Sequence, residues 1–277
     1  MGIVFIFGSI IRGFKKSSIF LLCLVSFLNL AFAQNIAGDW AEKKSRHFII
    51  YYDSGVDPIY VKRIFYKAES YYKTIINSLG FRRFDFWTWE NRCKIFLYSS
   101  QKKYYNDNER PEWSAGEVNI CERMISSYTQ GDDFFNFVLP HEMAHLIFRE
   151  FVGQKKLIPL WLDEGIACFS ETNSRPERLR IARSLVWSDM YIPLEDLSKM
   201  NNPDSIILPV IFYSQATSLV EFLLIDYGAD DFLDFSRKVR DGEEWQEALR
   251  AVYGFETVAK LEEAWVKYLK DESKNNN

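Results

Sequence analysis

The hydrophobic positions in the first part of the chain form short segments rich in β-branched and aromatic residues and one longer segment with helical spacing. His47 to Tyr52 is rich in β-branched and aromatic residues, which predicts a strand. Val61 to Leu79 has apolar residues at helical spacing and is followed by Gly80, which predicts a helix. A second strand is predicted at Cys93 to Tyr98, and a short helix or turn at Lys102 to Asn106. This order is typical of the opening of a mixed sheet.

Two extended segments and a turn precede a long helix. Ala115 to Cys121 and Met124 to Tyr128 are predicted to be extended, and Gly131-Asp132-Asp133 has the composition of a turn and a helix cap. The next helix is predicted to run to about Phe151 and Gly153. Its apolar stripe, which indicates packing in a core, consists of Leu139, Met143, Leu146, Ile147 and Phe151. Pro140 marks either a late start of this helix or a kink in it.

The remainder of the chain is predicted to be helical. One apolar face, stopped by Gly228, is formed by Phe212, Ala216, Leu219, Val220, Leu223 and Leu224. Further amphipathic helices are predicted at Phe232 to Val239, Trp245 to Tyr253 and Val258 to Leu269, before a polar tail. Together these patterns predict an α+β fold, with a mixed β-sheet subdomain over residues 34–175 and a helical subdomain over residues 176–277.

The N-terminal segment has the pattern of a secretory signal peptide. Lys15 and Lys16 precede an apolar run from Ile19 to Phe32, which ends in Ala31-Phe32-Ala33. A basic region, a short apolar region and a small-x-small end predict export and cleavage after Ala33. The run is shorter than the ~20 residues of a spanning helix. Because Ile3 to Ile11 is also apolar, an uncleaved anchor is the alternative.

The net charge limits the kinds of partner that the protein is expected to bind. Loss of residues 1–33 removes three basic residues and no acidic one, so 31 basic and 38 acidic residues remain, a net charge of −7. An acidic protein is not expected to bind nucleic acid, or an anionic membrane surface, through its charge. We expect membrane contact only through the N-terminal segment, if that segment stays uncleaved.

Three cysteines remain after such a cleavage, Cys93, Cys121 and Cys168, and none has Cys-x-x-Cys spacing. An odd number leaves at least one free thiol in an exported chain. Cys93 opens one predicted strand and Cys121 ends another, so a disulfide between them is a hypothesis. Cys168 is predicted to be a buried thiol.

Two of the three histidines lie four residues apart, in His141-Glu142-Met143-Ala144-His145. On a helix such residues are offset by only about 40° around the axis and about 6 Å along it, so both imidazoles can bind one metal ion. Glu164 follows after an eighteen-residue gap and is the candidate third ligand. Two nitrogens and one carboxylate oxygen form the ligand set of a catalytic zinc with an open fourth position.

This combination resembles the gluzincin metallopeptidases, and within them the branch of the zinc aminopeptidases and the peptidase-MA-like secreted proteins. The matching residues include Trp-Leu-Asp-Glu-Gly-Ile-Ala at 161–167. The resemblance covers about Phe48 to Leu269, with its specific motifs confined to residues 139–171. It implies a thermolysin-like catalytic architecture, one Zn²⁺ per chain and a peptide or protein substrate, and we expect a monomer.

The ligand set also suggests a mechanism. A zinc ion with three protein ligands lowers the pKa of its bound water from 15.7 to about 7. Glu142 is then the expected general base, which takes the proton of this water and passes it to the leaving amine. Other divalent metals also suit these ligands. A serine triad has little support, because the chain has no Gly-x-Ser-x-Gly motif and only His47 lies outside the metal motif.

Two further residues carry open alternatives, and a third is expected to have no special role. Glu171 lies two helical turns after Glu164, and either orients a ligand histidine or is an exposed glutamate. Tyr213 either donates a hydrogen bond to the tetrahedral oxyanion, as a tyrosine does in related aminopeptidases, or is an ordinary tyrosine at the edge of the core. His47 is expected to be an ordinary strand or surface residue.

The function also has alternatives. Ala115 to Asn119 stands about where the aminopeptidases carry Gly-x-Met-x-Asn, but Glu117 is out of register with that motif. The segment is alternatively an edge strand that hydrogen-bonds an extended peptide. One rival function is an inactive or non-peptidase metal-binding envelope protein that retains the fold. Another is a zinc hydrolase acting on a different amide or on a cell-wall peptide.

Overall fold

The computed structural model describes residues 40–106, 116–129, 131–201 and 208–271. The predicted leader and residue Ala115 lie outside these ranges, as does most of the polar tail. None of the helices in the described ranges combines the length and the hydrophobicity that crossing a bilayer requires.

Five strands form one mixed sheet. They are β1 (Trp40–Lys44), β2 (Phe48–Asp53), β3 (Cys93–Tyr98), β4 (Gly116–Asn119) and β5 (Met124–Tyr128). Their order across the sheet is β1-β2-β3-β5-β4, with β2, β3 and β5 parallel and the two edge strands antiparallel to their neighbours. The predicted mixed sheet is thereby confirmed. β1 was not predicted, because its sequence Trp-Ala-Glu-Lys-Lys is mostly charged.

Each face of the sheet carries a helix. The first helix, α1 (Pro58–Ser78), begins at Asp57, whose side chain accepts a hydrogen bond from the backbone N–H of Ile59 at 2.8 Å. An aspartate cap followed by a proline is a favourable start for a helix. A short helix, α2 (Gln101–Asn106), lies on the opposite face and buries Tyr104 in an aromatic cluster with Phe96 and Tyr98.

The described chain beyond β5 is helical, which confirms the predicted α+β class. It comprises a π-helix at Phe134–Val138, α3 (Leu139–Val152), α4 (Leu160–Ser170), α5 (Arg175–Trp187), α6 (Leu194–Lys199), α7 (Pro209–Phe222), a second π-helix at Leu223–Tyr227, α8 (Ala229–Asp241), α9 (Trp245–Tyr253) and α10 (Val258–Lys270). The division into two subdomains at residue 175 stays a prediction.

One hydrophobic core joins the sheet to the helices. Ile95 of β3, Leu139 of α3 and Leu219 of α7 are all buried members of this core. α3 packs on both α1 and α4, and α4 lies along α7. The close approach of α4 to α7 depends on Gly165, where an added Cβ would lie 2.4 Å from the carbonyl oxygen of Ala216. The helices that carry the predicted ligands are therefore packed between other helices.

The predicted disulfide between Cys93 and Cys121 was wrong, since all three described cysteines are free thiols. Cys93 is buried at the start of β3, opposite Phe48 of β2. Cys121 is exposed in the turn between β4 and β5, where its thiol donates to Oε1 of Gln154 at 3.3 Å. The two cysteines thus have separate surroundings. The prediction that Cys168 is a buried free thiol is confirmed.

Candidate metal centre

The helix α3 presents His141 in its first turn, directly after the π-helix. The backbone N–H of Leu139 donates to the carbonyl of Phe134, five residues back, in place of the α-helical partner four residues back. Pro140 follows at the start of α3, where the missing N–H of a proline costs little. The sequence left a late start or a kink open for Pro140. The structure places Pro140 in the first turn of α3, immediately after the π-helix.

The structure brings His141, His145 and Glu164 together. The Nε2 atoms of the two histidines lie 3.2 Å apart, and Oε2 of Glu164 lies 3.6 Å and 3.8 Å from them. Their side chains are 21%, 11% and 14% exposed, so the cluster is mostly shielded but not fully buried. Ligand atoms of all three residues lie within 4.8 Å of one another, as a shared metal ion requires.

These separations fit a tetrahedral zinc. With Zn–N bonds of 2.0–2.1 Å, two ligand nitrogens of a tetrahedral site lie about 3.4 Å apart. The observed 3.2 Å between the histidine nitrogens is close to that value, and the carboxylate oxygen needs to move only by a few tenths of an ångström. Two imidazoles and one carboxylate also suit zinc chemically. The residues present therefore fit the metal that the sequence predicts.

The electrostatic surroundings of His145 favour a positive charge at this position. Burial lowers the pKa of His145, but the carboxylates of Asp163, Glu164 and Glu142 together raise it to about 9. The same carboxylates also favour a metal cation at this imidazole, which binds a metal in its neutral form.

Glu171 lies immediately behind His141. Its Oε1 is 2.7 Å from Nδ1 of His141, and the residue is only 4% exposed, so the exposed-glutamate alternative was wrong. Burial alone would raise the pKa of Glu171, but hydrogen bonds from His141 and Ser174 and the charge of Arg178 lower it to about 2. An ionised carboxylate on Nδ1 keeps the proton there and leaves Nε2 free to bind a metal.

Cys168 adjoins the same pair. Its thiol is buried 4.0 Å from Nδ1 of His141, and burial together with the negative charge of Glu171 raises its pKa well above the usual value. The neutral thiol therefore acts as an apolar neighbour of the histidine and not as a reactive thiolate.

Asp163 faces Nδ1 of His145 and was not predicted from the sequence. Its Oδ1 lies 3.3 Å from that nitrogen, and its Oδ2 accepts hydrogen bonds from Nε and Nη2 of Arg149 at 3.1 Å and 2.8 Å. Although burial raises the pKa of Asp163, the charges of His145 and Arg149 lower it well below its ordinary value. The only signals in the sequence were its position next to Glu164 and an arginine four residues after His145.

Glu142 lies beside the edge of the sheet. A Cβ built on Gly116 of β4 would stand 3.7 Å from Oε1 of Glu142 and 2.6 Å from Cγ1 of Val138. A side chain at position 116 would therefore crowd the start of the metal helix next to this carboxylate. Within the described residues, the edge strand β4 therefore lies directly beside the candidate general base.

Tyr213 lies near the metal-ligand cluster on α7. The guanidinium carbon of Arg178 is 5.7 Å from its ring centroid, which places the ring next to the Glu171 network. Burial raises the pKa of Tyr213 above its ordinary value, and the charge of Glu164 raises it further. The phenol therefore keeps its proton and remains a hydrogen-bond donor near the third ligand.

His47 lies outside this cluster and adjoins a strand, but it is not the surface residue that was the other expected alternative. It is 7% exposed and precedes β2, with its ring stacked on Tyr72 at 4.0 Å. Its Nδ1 lies 2.6 Å from Glu69 and its Nε2 lies 3.0 Å from Asp85. These partners are 22 and 38 residues away in sequence, so no local pattern revealed them.

Comparisons with known proteins give a family match and two similar solved structures. The model of the Peptidase MA superfamily matches residues 93–271. No curated protein sequence matches the chain. Among solved structures, yeast LTA4 hydrolase in complex with bestatin has a TM-score of 0.47 and 17% identity over 82% of this chain. Native leukotriene A4 hydrolase from Saccharomyces cerevisiae has a TM-score of 0.44 and 15% identity over 84%. The chain covers 39% of each of those two chains.

The family match spans most of the described sheet and all of the helices that carry the candidate ligands. It confirms the predicted resemblance at the level of the superfamily, and it supports a zinc peptidase-like function in general terms. The chain belongs to the Peptidase MA superfamily.

Proposed function

We propose that the protein is an exported zinc-dependent metallopeptidase that hydrolyses peptide bonds. The observation that carries this proposal is the convergence of His141, His145 and Glu164, whose ligand atoms lie 3.2–3.8 Å apart. Membership of a peptidase superfamily supports the same chemistry. When bound at these residues, zinc polarises the substrate carbonyl and makes hydroxide available near neutral pH.

Glu142 is the proposed general base. It stands one residue after His141, and its Oε1 would lie 3.7 Å from a Cβ built on Gly116, so the proposed base is beside the edge strand β4. Its carboxylate accepts a proton from the attacking water and then delivers it to the leaving amine, so no covalent intermediate forms. Tyr213 is the proposed hydrogen-bond donor to the developing oxyanion, since its phenol stays protonated.

The substrate is proposed to be an extended peptide that lies along β4. This strand is at the edge of the sheet and borders Glu142, so a peptide added beside it would pass the candidate ligands. Export is proposed from the leader ending in Ala31-Phe32-Ala33. We further propose that the mature protein acts as a monomer with one zinc ion.

The test combines metal analysis with a peptide-library cleavage assay on purified protein. We expect about one zinc per wild-type chain, an empty site in His145→Ala, and full zinc occupancy in Glu142→Gln. Cleavage should fall by about 10²–10⁴-fold in Glu142→Gln, the usual contribution of a general base. Lys260→Gln, which changes an exposed ion pair on α10, is the control and should cleave like the wild type.

Two results would contradict the proposal. Full zinc occupancy in His145→Ala would refute the assignment of His145 as a ligand. Unchanged cleavage in Glu142→Gln would refute the role of Glu142 as general base. A wild-type protein that binds zinc but cleaves no peptide would favour a metal-binding scaffold or a hydrolase of another amide.

A further inference from the structure

Each candidate metal histidine stands at the inner end of a chain of three side chains. Nδ1 of His141 meets Glu171, and the other oxygen of Glu171 accepts a hydrogen bond from Arg178 at 2.9 Å. Nδ1 of His145 faces Asp163, whose other oxygen accepts two hydrogen bonds from Arg149. The same order of imidazole, carboxylate and guanidinium thus occurs twice.

The two chains differ in one respect. The contact between His141 and Glu171 is a hydrogen bond of 2.7 Å. Oδ1 of Asp163 lies 3.3 Å from His145 but is buried and accepts no aligned hydrogen bond from the described residues. A buried carboxylate oxygen without a donor is costly. The nearest group that can donate a hydrogen bond to this oxygen is the N–H at Nδ1 of His145. Metal binding at Nε2 keeps the proton on Nδ1.

Arg149 ties together the segments that carry the ligands. It lies one turn after His145 on α3, and its Nε and Nη2 hold Asp163, the residue before Glu164 on α4. Its Nη1 donates to the carbonyl of Lys156 at 3.0 Å, in the connection between the two helices. One guanidinium therefore sets the position of α3 relative to the start of α4.

We propose that Arg149 is a positioning residue of the metal centre. It holds Asp163 against Nδ1 of His145 and, through the same contact, fixes Glu164 at its distance from both histidines. The proposal rests on the proposed function, because it takes zinc as the ion that these ligands bind. It concerns the affinity and geometry of the metal site and needs no assumption about the substrate.

Arg149→Met removes the guanidinium and keeps the aliphatic stem. Arg149→Lys keeps the charge but loses the fork that binds Asp163 and Lys156 at once. Asp163→Asn keeps the size and removes the acceptor charge. The matched control is Arg123→Met, because Arg123 makes a similar two-armed ion pair with Glu150 of α3, both distances 2.8 Å, away from the histidines.

The experiment measures the zinc dissociation constant by competition with a chelator and the visible absorption spectrum of the cobalt-substituted protein. Thermal unfolding of each metal-free variant reports its stability. We expect Arg149→Met and Asp163→Asn to weaken zinc binding by about 10–100-fold, the usual effect of losing such a partner. Their cobalt spectra should change, Arg149→Lys should be intermediate, and Arg123→Met should match the wild type.

Wild-type zinc affinity and an unchanged cobalt spectrum in both Arg149→Met and Asp163→Asn would overturn the proposal. An equal loss of affinity in Arg123→Met would also overturn it, since that loss would follow from stability alone. If Arg149→Met does not fold, the zinc affinities and cobalt spectra of Arg149→Lys and Asp163→Asn test the proposal instead. A wild-type protein that binds no zinc would refute the proposed function itself, a result distinct from variants that bind as well as the wild type.

Discussion

Gly165 of α4 lies against the backbone of Ala216 in α7, so closely that an added Cβ would stand 2.4 Å from the Ala216 carbonyl oxygen. The same Cβ would lie 2.8 Å from Cγ2 of Val220. Because Glu164 is the preceding residue, the distance between these helices also sets the position of the proposed third ligand.

Gly165→Ala should therefore lower both stability and zinc affinity. Overpacking against a backbone atom that cannot move aside costs about 1–3 kcal/mol. The displaced helix should also weaken zinc binding. The control is Gly254→Ala, a residue with φ of +75° and open space around its Cβ position. It should lose stability from backbone strain but keep wild-type zinc affinity. Denaturant unfolding and chelator competition provide the two measurements, and unchanged zinc affinity in Gly165→Ala would contradict the prediction.

Tyr213→Phe tests the proposed oxyanion donor. The change removes one hydroxyl near Glu164 and leaves the ring in place. We expect kcat to fall by about 10²–10³-fold, as when another oxyanion donor is removed, with KM and zinc content nearly unchanged. The control is Tyr60→Phe, whose hydroxyl donates to the carbonyl of Gly131 on the surface. Equal activity in the two variants would assign Tyr213 to packing alone.

Glu69 should make stability depend on pH in the acid range. Burial raises its pKa, but hydrogen bonds from His47 and Ser45 outweigh burial and lower it to about 2, from 4.5. A lowered carboxyl pKa stabilises the fold above the unfolded-state value, and this contribution disappears as the pH falls from about 4.5 towards 2. The contribution is on the order of 2–3 kcal/mol at neutral pH.

The measurement is the free energy of unfolding of the wild type and of Glu69→Gln between pH 7 and pH 2.5. The difference between them should be largest at pH 7 and should shrink through the acid range. Glu177→Gln, in an exposed pair with Arg180, should show almost no difference at any pH. A constant difference for Glu69→Gln across the range would contradict the assigned cause.

The proposed export predicts a defined mature N-terminus. N-terminal sequencing of material recovered outside the cytoplasm should begin at Gln34. Ala33→Leu alters the cleavage site without changing the apolar run, and should leave the leader attached. A wild-type protein that keeps Met1 would support the anchor alternative.

The sequence predicted those parts of the molecule that depend on local spacing. β3 and β5 have the predicted bounds. The face shared by His141 and His145 follows from helix geometry alone. The contact between Glu171 and His141 could be named as one of two alternatives, but its burial depends on Ser174 and Arg178.

Other features depend on contacts between distant segments. The pair of Arg149 and Asp163 joins two helices across fourteen positions, and its charges resemble an ordinary solvated surface in the sequence. The partners of His47 come from a helix and a loop far along the chain. β1 is recognisable only once β2 is present to pair with it, since its own residues have little preference for a strand.

The π-helix at Phe134–Val138 has a consequence for how the chain tolerates deletions. A π-turn contains one residue more than an α-turn, so it rotates everything after it by about 100° relative to what comes before. Phe134 and Phe135, at the start of this turn, are buried in the core, and His141 and His145 follow it with their Nε2 atoms 3.2 Å apart. Deleting one residue here would restore an unbroken α-helix, direct Pro140 against the carbonyl four residues before it, and turn either the aromatic pair or the histidines away from their partners. The π-helix is therefore required for the aromatic pair and the histidines to keep their observed orientations at the same time.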